Sequence, residues 1–424
     1  MLSIDFERHE LDNGLTVVLA PDPATPVVAV NLWYRVGSRD ERPGRTGFAH
    51  LFEHMMFQGS AHVPKGRHFE LVERAGGSVN ATTWFDRTNY FQTLPSHHLD
   101  LALWLESDRM GWMLEAMTQE KLDNQRDVVR NEYQQRYDNQ PYGDWDDRLQ
   151  AMVFPDDHPY RHTVIGSMED LAEASLDDVR QFFETYYRPN NTVLTLAGDV
   201  EPAEALRKVK EYFGEIPRGE DVPPVPGRLD PGAVIGSTVR EEVRDKVPLP
   251  RVYVASRIPP LTDDDFYVAD VATSVLSDGR ASRLYRRLVR DEALAKDVVS
   301  YAFPLVTGRS FMVSWVTGYP DSEAAELESG LLRELEALSD VADHEVDRAV
   351  SLAETRLLRQ VERLSTRADM LSMFQQIFDD PGRLNTEVDR LRAVTPDDVR
   401  DFAAATLDGR NRAILTYLPQ EEVE

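Results

Sequence analysis

The stretch SLDDVRQFFETYYRPNNTVLTLAGDV, beginning at Ser175, is echoed by TPDDVRDFAAATLDGRNRAILTYLPQ, beginning at Thr395. The two DDVR tetrapeptides lie 220 residues apart, and after a one-residue slip Val193-Leu194-Thr195 matches Ile414-Leu415-Thr416. Each copy opens on a Ser or Thr followed by acidic residues, which predicts a capped helix, then a turn, then a strand. Repetition at half-chain spacing predicts a duplicated unit of helices and strands. With 424 residues the chain is too long for one ordinary core, which also calls for two domains. Between the copies, IPRGEDVPPVPGRLDPGAVIG is dense in Pro and Gly and reads as a linker over 216–236, leaving domains at 1–215 and 237–424.

Within the first half, LTVVLA and VVAVNLWYRVG carry the β-branched and aromatic residues of strands, and Asn13-Gly14 is a turn signal just before them. A helix is expected at about 46–58, with Gly59 closing it. HHLDLALWLESDRMGWMLEAM and TQEKLDNQRDVVRNEYQQRYDN have helical periodicity. In the second half strands are expected near 249–257 and 310–318, helices near 264–276 and 281–291, and long helices from about 321 to 405. GGSVNATTWF reads as a hairpin strand after a Gly-Gly turn.

Chemistry concentrates in the first half. The chain has ten histidines and no cysteine, so a metal must be held by His, Asp or Glu. His50 and His54 are one helical turn apart in TGFAHLFEHMMFQGS, with Glu53 between them. Residues i and i+4 share a helix face, so both imidazoles can reach one ion, while Glu53 can reach a water beside it. Phe48, Leu51, Phe52, Met55 and Met56 leave little of this helix to solvent, and buried imidazoles need partners. A catalytic zinc takes three protein ligands. Glu132 is a candidate third, on a helical face with Leu122, Gln125, Val129 and Arg136, among many acidic rivals. Between His162 and His344 there is no histidine, so the second half cannot repeat a two-histidine site.

His50, Glu53 and His54 form an inverted H-x-x-E-H motif, and Glu132 follows in RDVVRNE. Together with LDNGLTVVL, GGSVNATTWFDRTNYF, HPYRHTVIGSMEDL, YYRPNNTVLTLAGDV and LSDGRASRLYRRL, in that order, the chain resembles the pitrilysin/insulinase family of zinc peptidases, in the branch of mitochondrial processing peptidase and its bacterial relatives. The resemblance spans nearly the whole chain. It implies an α+β fold of two homologous domains, each a mainly antiparallel sheet flanked by helices, together forming one half of a clamshell. It implies one Zn²⁺ per chain on His50, His54 and Glu132, a metal-activated water as nucleophile, Glu53 as general base, and endopeptidase action on peptides or unfolded segments inside a dimeric chamber. It places Asn80 and Ala81 on an edge strand that pairs with the substrate main chain. A non-catalytic, peptide-holding or structural subunit of the same fold is the alternative.

Two positions depart from the family pattern. Gln125 stands where a second glutamate is common, seven residues before the zinc glutamate. In LVRDEALAK, Val289 and Lys296 stand where active relatives often carry an Arg and a Tyr that hold substrate. The expectation is a heterodimer with a related subunit that lacks the zinc motif and supplies that pair, or else a homodimer. The formal net charge of −27 disfavours nucleic acid and anionic membrane as partners. No signal peptide or apolar span of about 18 residues is visible, which points to the cytoplasm.

Overall fold

The computed structural model describes residues 2–420. Strands β1 (Glu7–Glu10), β2 (Thr16–Pro21), β3 (Val27–Tyr34), β4 (Ser78–Thr83), β5 (Thr88–Pro95) and β6 (Thr192–Gly198) form one sheet in the order β1-β2-β6-β3-β5-β4. Strands β7 (Thr238–Asp245), β8 (Arg251–Ile258), β9 (Asp297–Ala302), β10 (Ser310–Thr317) and β11 (Arg412–Pro419) form a second, in the order β7-β11-β8-β10-β9. The sheets repeat one pattern. β2 pairs parallel with β6 as β7 does with β11, and the other neighbours in both sheets are antiparallel. The echoed segments supply equivalent pieces. Ser175 and Thr395 each cap a helix through a reciprocal capping box, and each helix leads to a central strand, β6 or β11. The fold is α+β, two mainly antiparallel sheets with flanking helices.

The chain packs into two compact units that are not contiguous halves. The first takes residues up to Glu132, Thr163–Pro226 and Leu358–Thr386. The second takes Tyr133–His162, Gly227–Leu357 and the chain from Glu387. The crossing from Pro226 to Gly227 falls inside the expected 216–236 linker; the others lie elsewhere. The physical reason is that each sheet needs a cover on both faces, and each takes one helix from the other half of the sequence.

In the first unit that helix is Leu364–Phe378, which packs on β3 and β6. Asp369 accepts hydrogen bonds from Trp33 Nε1 (2.8 Å), Asn89 Nδ2 (2.9 Å) and Asn31 Nδ2 (3.3 Å), and Ser372 meets Thr195 at 2.7 Å. The run VVAVNLWY is thus covered on both faces, which explains its near-continuous apolar character, and Asn31 has a partner. In the second unit Trp145–Val153 packs on β11 and β8, with Trp145 stacked on Tyr253 at 5.3 Å.

Some elements differ from the sequence expectation. β7, TVREEVRD, is an edge strand whose exposed positions are charged, so it carries little strand signal. The helix expected over 281–291 is a π-helical stretch, Tyr285–Asp291, followed by Ala293 at φ +50°. The long helices expected from about 321 to 405 are Ala324–Glu336, Asp343–Val361, Leu364–Phe378, Glu387–Ala393 and Pro396–Thr406. Among the described residues no helix is long and apolar enough to cross a membrane.

Candidate metal centre

The helix Phe48–Met55 carries the two histidines, and its seating begins at its N-terminus. Gly47 precedes it at φ +81°, where a Cβ would stand 2.3 Å from the carbonyl oxygen of Ile165, so only glycine fits. The first main-chain N–H groups of a helix lack intrahelical partners. Here Glu41 supplies them, accepting from Gly47 N (2.8 Å) and Ala49 N (2.7 Å). Burial pushes the Glu41 carboxyl well above its usual range, while these N–H donors pull it back. On the inner face Phe52 packs against Tyr187 (4.4 Å) and Phe182 (5.2 Å), and Phe48 against Phe182 (5.6 Å). With that face committed, His50, Glu53 and His54 look the other way.

The third ligand candidate comes from the helix Gln119–Tyr133, where Leu122, Gln125 and Val129 are buried. Gln125 spends its amide on Asn124, donating from Nε2 at 2.9 Å. One further turn brings Glu132 to the histidines. Its Oε1 lies 3.8 Å from His50 Nε2, and its Oε2 lies 3.4 Å from His54 Nε2. One ligand atom from each of the three residues falls within 4.8 Å of the others, and among the described residues no other such cluster of three occurs. Tetrahedral zinc with bonds of about 2.1 Å separates its ligands by about 3.4 Å. The donor set of two imidazoles and a carboxylate, at these spacings, would suit zinc.

Glu53 sits half-buried beside the cluster. Burial raises its pKa above the ordinary carboxylate range, and the Glu132 charge adds to the rise. A hydrogen bond from Thr83, the His54 charge and the Arg87 guanidinium oppose it. The Thr83 hydroxyl donates to Glu53 Oε2 at 2.5 Å. Sequence reasoning had no role for Thr83, since threonine is ordinary in a strand. Its signal was its spacing from Ala81, which puts both on one face of β4.

Asn80 and Ala81 lie on β4, an edge strand of the first sheet, opposite Phe91 and Tyr90 of β5. Trp84 N donates to Arg87 O in the connecting turn. Counting back by the antiparallel alternation, Asn80 and Thr82 bond to β5, while the polar groups of Ala81 and Thr83 point to the free edge. Ala81 N donates to the Asn80 side chain at 2.9 Å. In the second unit, Val289 lies in the π-helical stretch and Lys296 is exposed just before β9. Nearby, Arg290 pairs with Asp291, and the Tyr301 ring packs against Phe303 and Trp315.

Comparison with known proteins agrees with this construction. The family model for insulinase (peptidase family M16) matches residues 16–158, and that for the peptidase M16 inactive domain matches residues 173–352. The zinc protease PqqE of Helicobacter pylori is 31% identical over 350 residues, covering 80% of this chain and 77% of that protein. A crystal structure of a Helicobacter pylori protease superposes with a TM-score of 0.90 at 26% identity, covering 98% of this chain and 100% of that one. A Pseudomonas fluorescens structure described as a peptidase M16 inactive domain superposes with a TM-score of 0.85, over 99% of this chain and 98% of its own, and at 17% identity it speaks to the fold alone. Similarity that runs through both halves and across the helices that carry the candidate ligands has one economical account: the chain belongs to peptidase family M16, the insulinase family.

Proposed function

We propose that the protein is a zinc-dependent endopeptidase that cleaves peptides or unfolded segments, with His50, His54 and Glu132 as metal ligands and Glu53 as general base. The observation that carries this reading is the convergence of the three ligand atoms within 4.8 Å, with Glu53 beside them on the histidine helix. When bound, zinc polarises the scissile carbonyl and makes water at the site more acidic. Glu53 takes the proton of the attacking water at its free oxygen, Oε1, and returns it to the leaving amine. The free edge at Ala81 and Thr83 offers main-chain groups to an extended peptide, with the Asn80 side chain moving aside. Such pairing reads backbone and tolerates many sequences.

A dimeric chamber, built with a related subunit lacking the zinc motif or with a second copy, belongs to the same reading. Val289 and Lys296 favour the related subunit, since this chain lacks the Arg–Tyr pair at those positions. The alternative is a peptide-holding or structural subunit without turnover, and the complete set of His50, Glu53, His54 and Glu132 speaks against it. Hydrolysis of a quenched fluorescent peptide by the zinc-loaded chain, alone and mixed with the related subunit, decides between them, with Glu53→Gln as control. The expected result is turnover in the natural chain and a loss of 10³-fold or more, roughly, in the variant at unchanged zinc content. Equal rates in both would remove Glu53 from the chemistry. No turnover by the natural chain alone would place the Arg–Tyr function on the related subunit; no turnover with that subunit added, with peptide bound, would establish the holding role.

A further inference from the structure

Thr83 touches the base, yet neither the metal nor the peptide-pairing edge accounts for it. We propose that Thr83 is a positioning residue that fixes the Glu53 carboxylate for proton transfer; the inference rests on the peptidase reading above. Its hydroxyl donates to Oε2 at 2.5 Å, which leaves Oε1 to take the proton. A carboxylate on a flexible side chain gains from being held in one rotamer, because proton transfer needs the acceptor within hydrogen-bond reach of the water.

The holder is itself held. Thr83 is the last residue of β4, opposite Thr88. Behind it, Arg87 donates to the carbonyl oxygen of Thr82 (2.9 Å), to the Thr82 hydroxyl and to Asn89 Oδ1 (3.1 Å). Asn89 in turn donates to Asp369. Ahead of it, the turn is pinned to the 36–39 segment. Ser38 N donates to Trp84 O, Arg39 N to Phe85 O and Thr88 Oγ1 to Val36 O, and Arg39 forms a buried ion pair with Asp86 at 2.6 Å. Gly37 leaves no room for slack, since a Cβ there would lie 2.3 Å from Phe85 O. The Thr83 hydroxyl is therefore presented from a fixed backbone.

This gives β4 two tasks at one place. Its free edge offers Ala81 and Thr83 main-chain groups, and its inward face aims the base. A peptide seated on the edge would lie in fixed register with the Glu53 carboxylate, so binding geometry and base geometry are set by one strand.

The test is Thr83→Val, which keeps the shape and removes the donor, with Thr83→Ser, which restores it. Zinc stoichiometry, kcat and KM are measured for both, and peptide affinity is measured by fluorescence anisotropy in the Glu53→Gln background. Thr83→Val is expected to lower kcat by about 10- to 100-fold, the effect of losing one hydrogen bond to a charged group. KM and zinc content should stay the same. Thr83→Ser should recover kcat to within about threefold, and Thr83→Val should not change peptide affinity when Glu53 is already Gln. Unchanged kcat in Thr83→Val, or failure of Ser to rescue, overturns the proposal. A loss confined to KM or to peptide affinity assigns Thr83 to strand shape and overturns it as well. Absence of hydrolysis by the zinc-loaded natural chain, both alone and mixed with the related subunit, overturns the peptidase reading itself, and the base-positioning role with it.

Discussion

Single residues decide whether the metal centre exists. Glu132 brings two carboxylate oxygens to two imidazoles, so Glu132→Gln should abolish tight zinc binding while leaving the fold intact. The check is thermal: zinc added to the chelated protein at about 100 times its Kd should stabilise the natural chain by about 2.7 kcal/mol and leave the variant unmoved. This candidate ligand was only partly visible in the sequence. The helical stripe Leu122, Gln125, Val129, Glu132 pointed inward, but a stripe does not say what it meets; the resemblance chose Glu132 and the geometry brings it to the histidines. Thr83 went unread because a hydrogen bond between a strand and a helix 30 residues away leaves no trace in the sequence beyond its spacing from Ala81. His158 makes a second residue-scale prediction. It is buried, stacked on Phe154 at 4.4 Å, and burial lowers its pKa from 6.5 to about 4. The unfolded chain then takes up the proton first, so this contribution to stability is complete above pH 6.5, falls as pH drops, and is gone below about 4. It amounts to about 3 kcal/mol. His158→Gln should flatten the melting temperature against pH between those limits, and an unchanged slope would place the titration elsewhere.

At the scale of elements, periodicity worked where one face of an element is buried and the other wet, and weakened elsewhere. The echoed helices at Ser175 and Thr395 were legible from their capping residues. β7 was not, because an edge strand with charged outward positions resembles a loop. The π-helical stretch Tyr285–Asp291 was read as ordinary helix, since one extra residue per turn does not disturb a short apolar pattern. It ends near Ala293, exposed at φ +50°, a region that costs a residue with a Cβ about 1–2 kcal/mol. Ala293→Gly should therefore stabilise the second unit by about 0.5–1 kcal/mol after the greater freedom of glycine in the unfolded chain is counted. A shift of the urea midpoint to lower concentration would show that φ there is not strained. The helix Leu364–Phe378 supports the opposite prediction. Asp369→Ala would leave donors of Asn31, Trp33 and Asn89 without their acceptor, at a cost of about 2–4 kcal/mol. A loss below about 0.5 kcal/mol would mean that water replaces the carboxylate.

For the molecule as a whole, duplication was legible and the exchange of helices was not, because a repeat reports kinship between segments and not which sheet each segment covers. The division into 1–132 with 163–226 and 358–386, against 133–162 with 227–357 and the chain end, gives each unit parts from both sides of the 216–236 stretch. A single proteolytic cut between 217 and 226 should thus leave two fragments that elute together under native conditions and part only in denaturant. Separation without denaturant would show that the exchanged helices contribute little. The same exchange bears on how the chain is made. Asn31 and Trp33 emerge from the ribosome early, but their partner Asp369 follows 338 and 336 residues later. At roughly 5–20 residues per second that is a wait of roughly 20–70 s. Throughout it, the face of β3 that the last fifth of the chain will cover, joined by β6 once that strand is made, stays open to water, to chaperones and to other nascent chains.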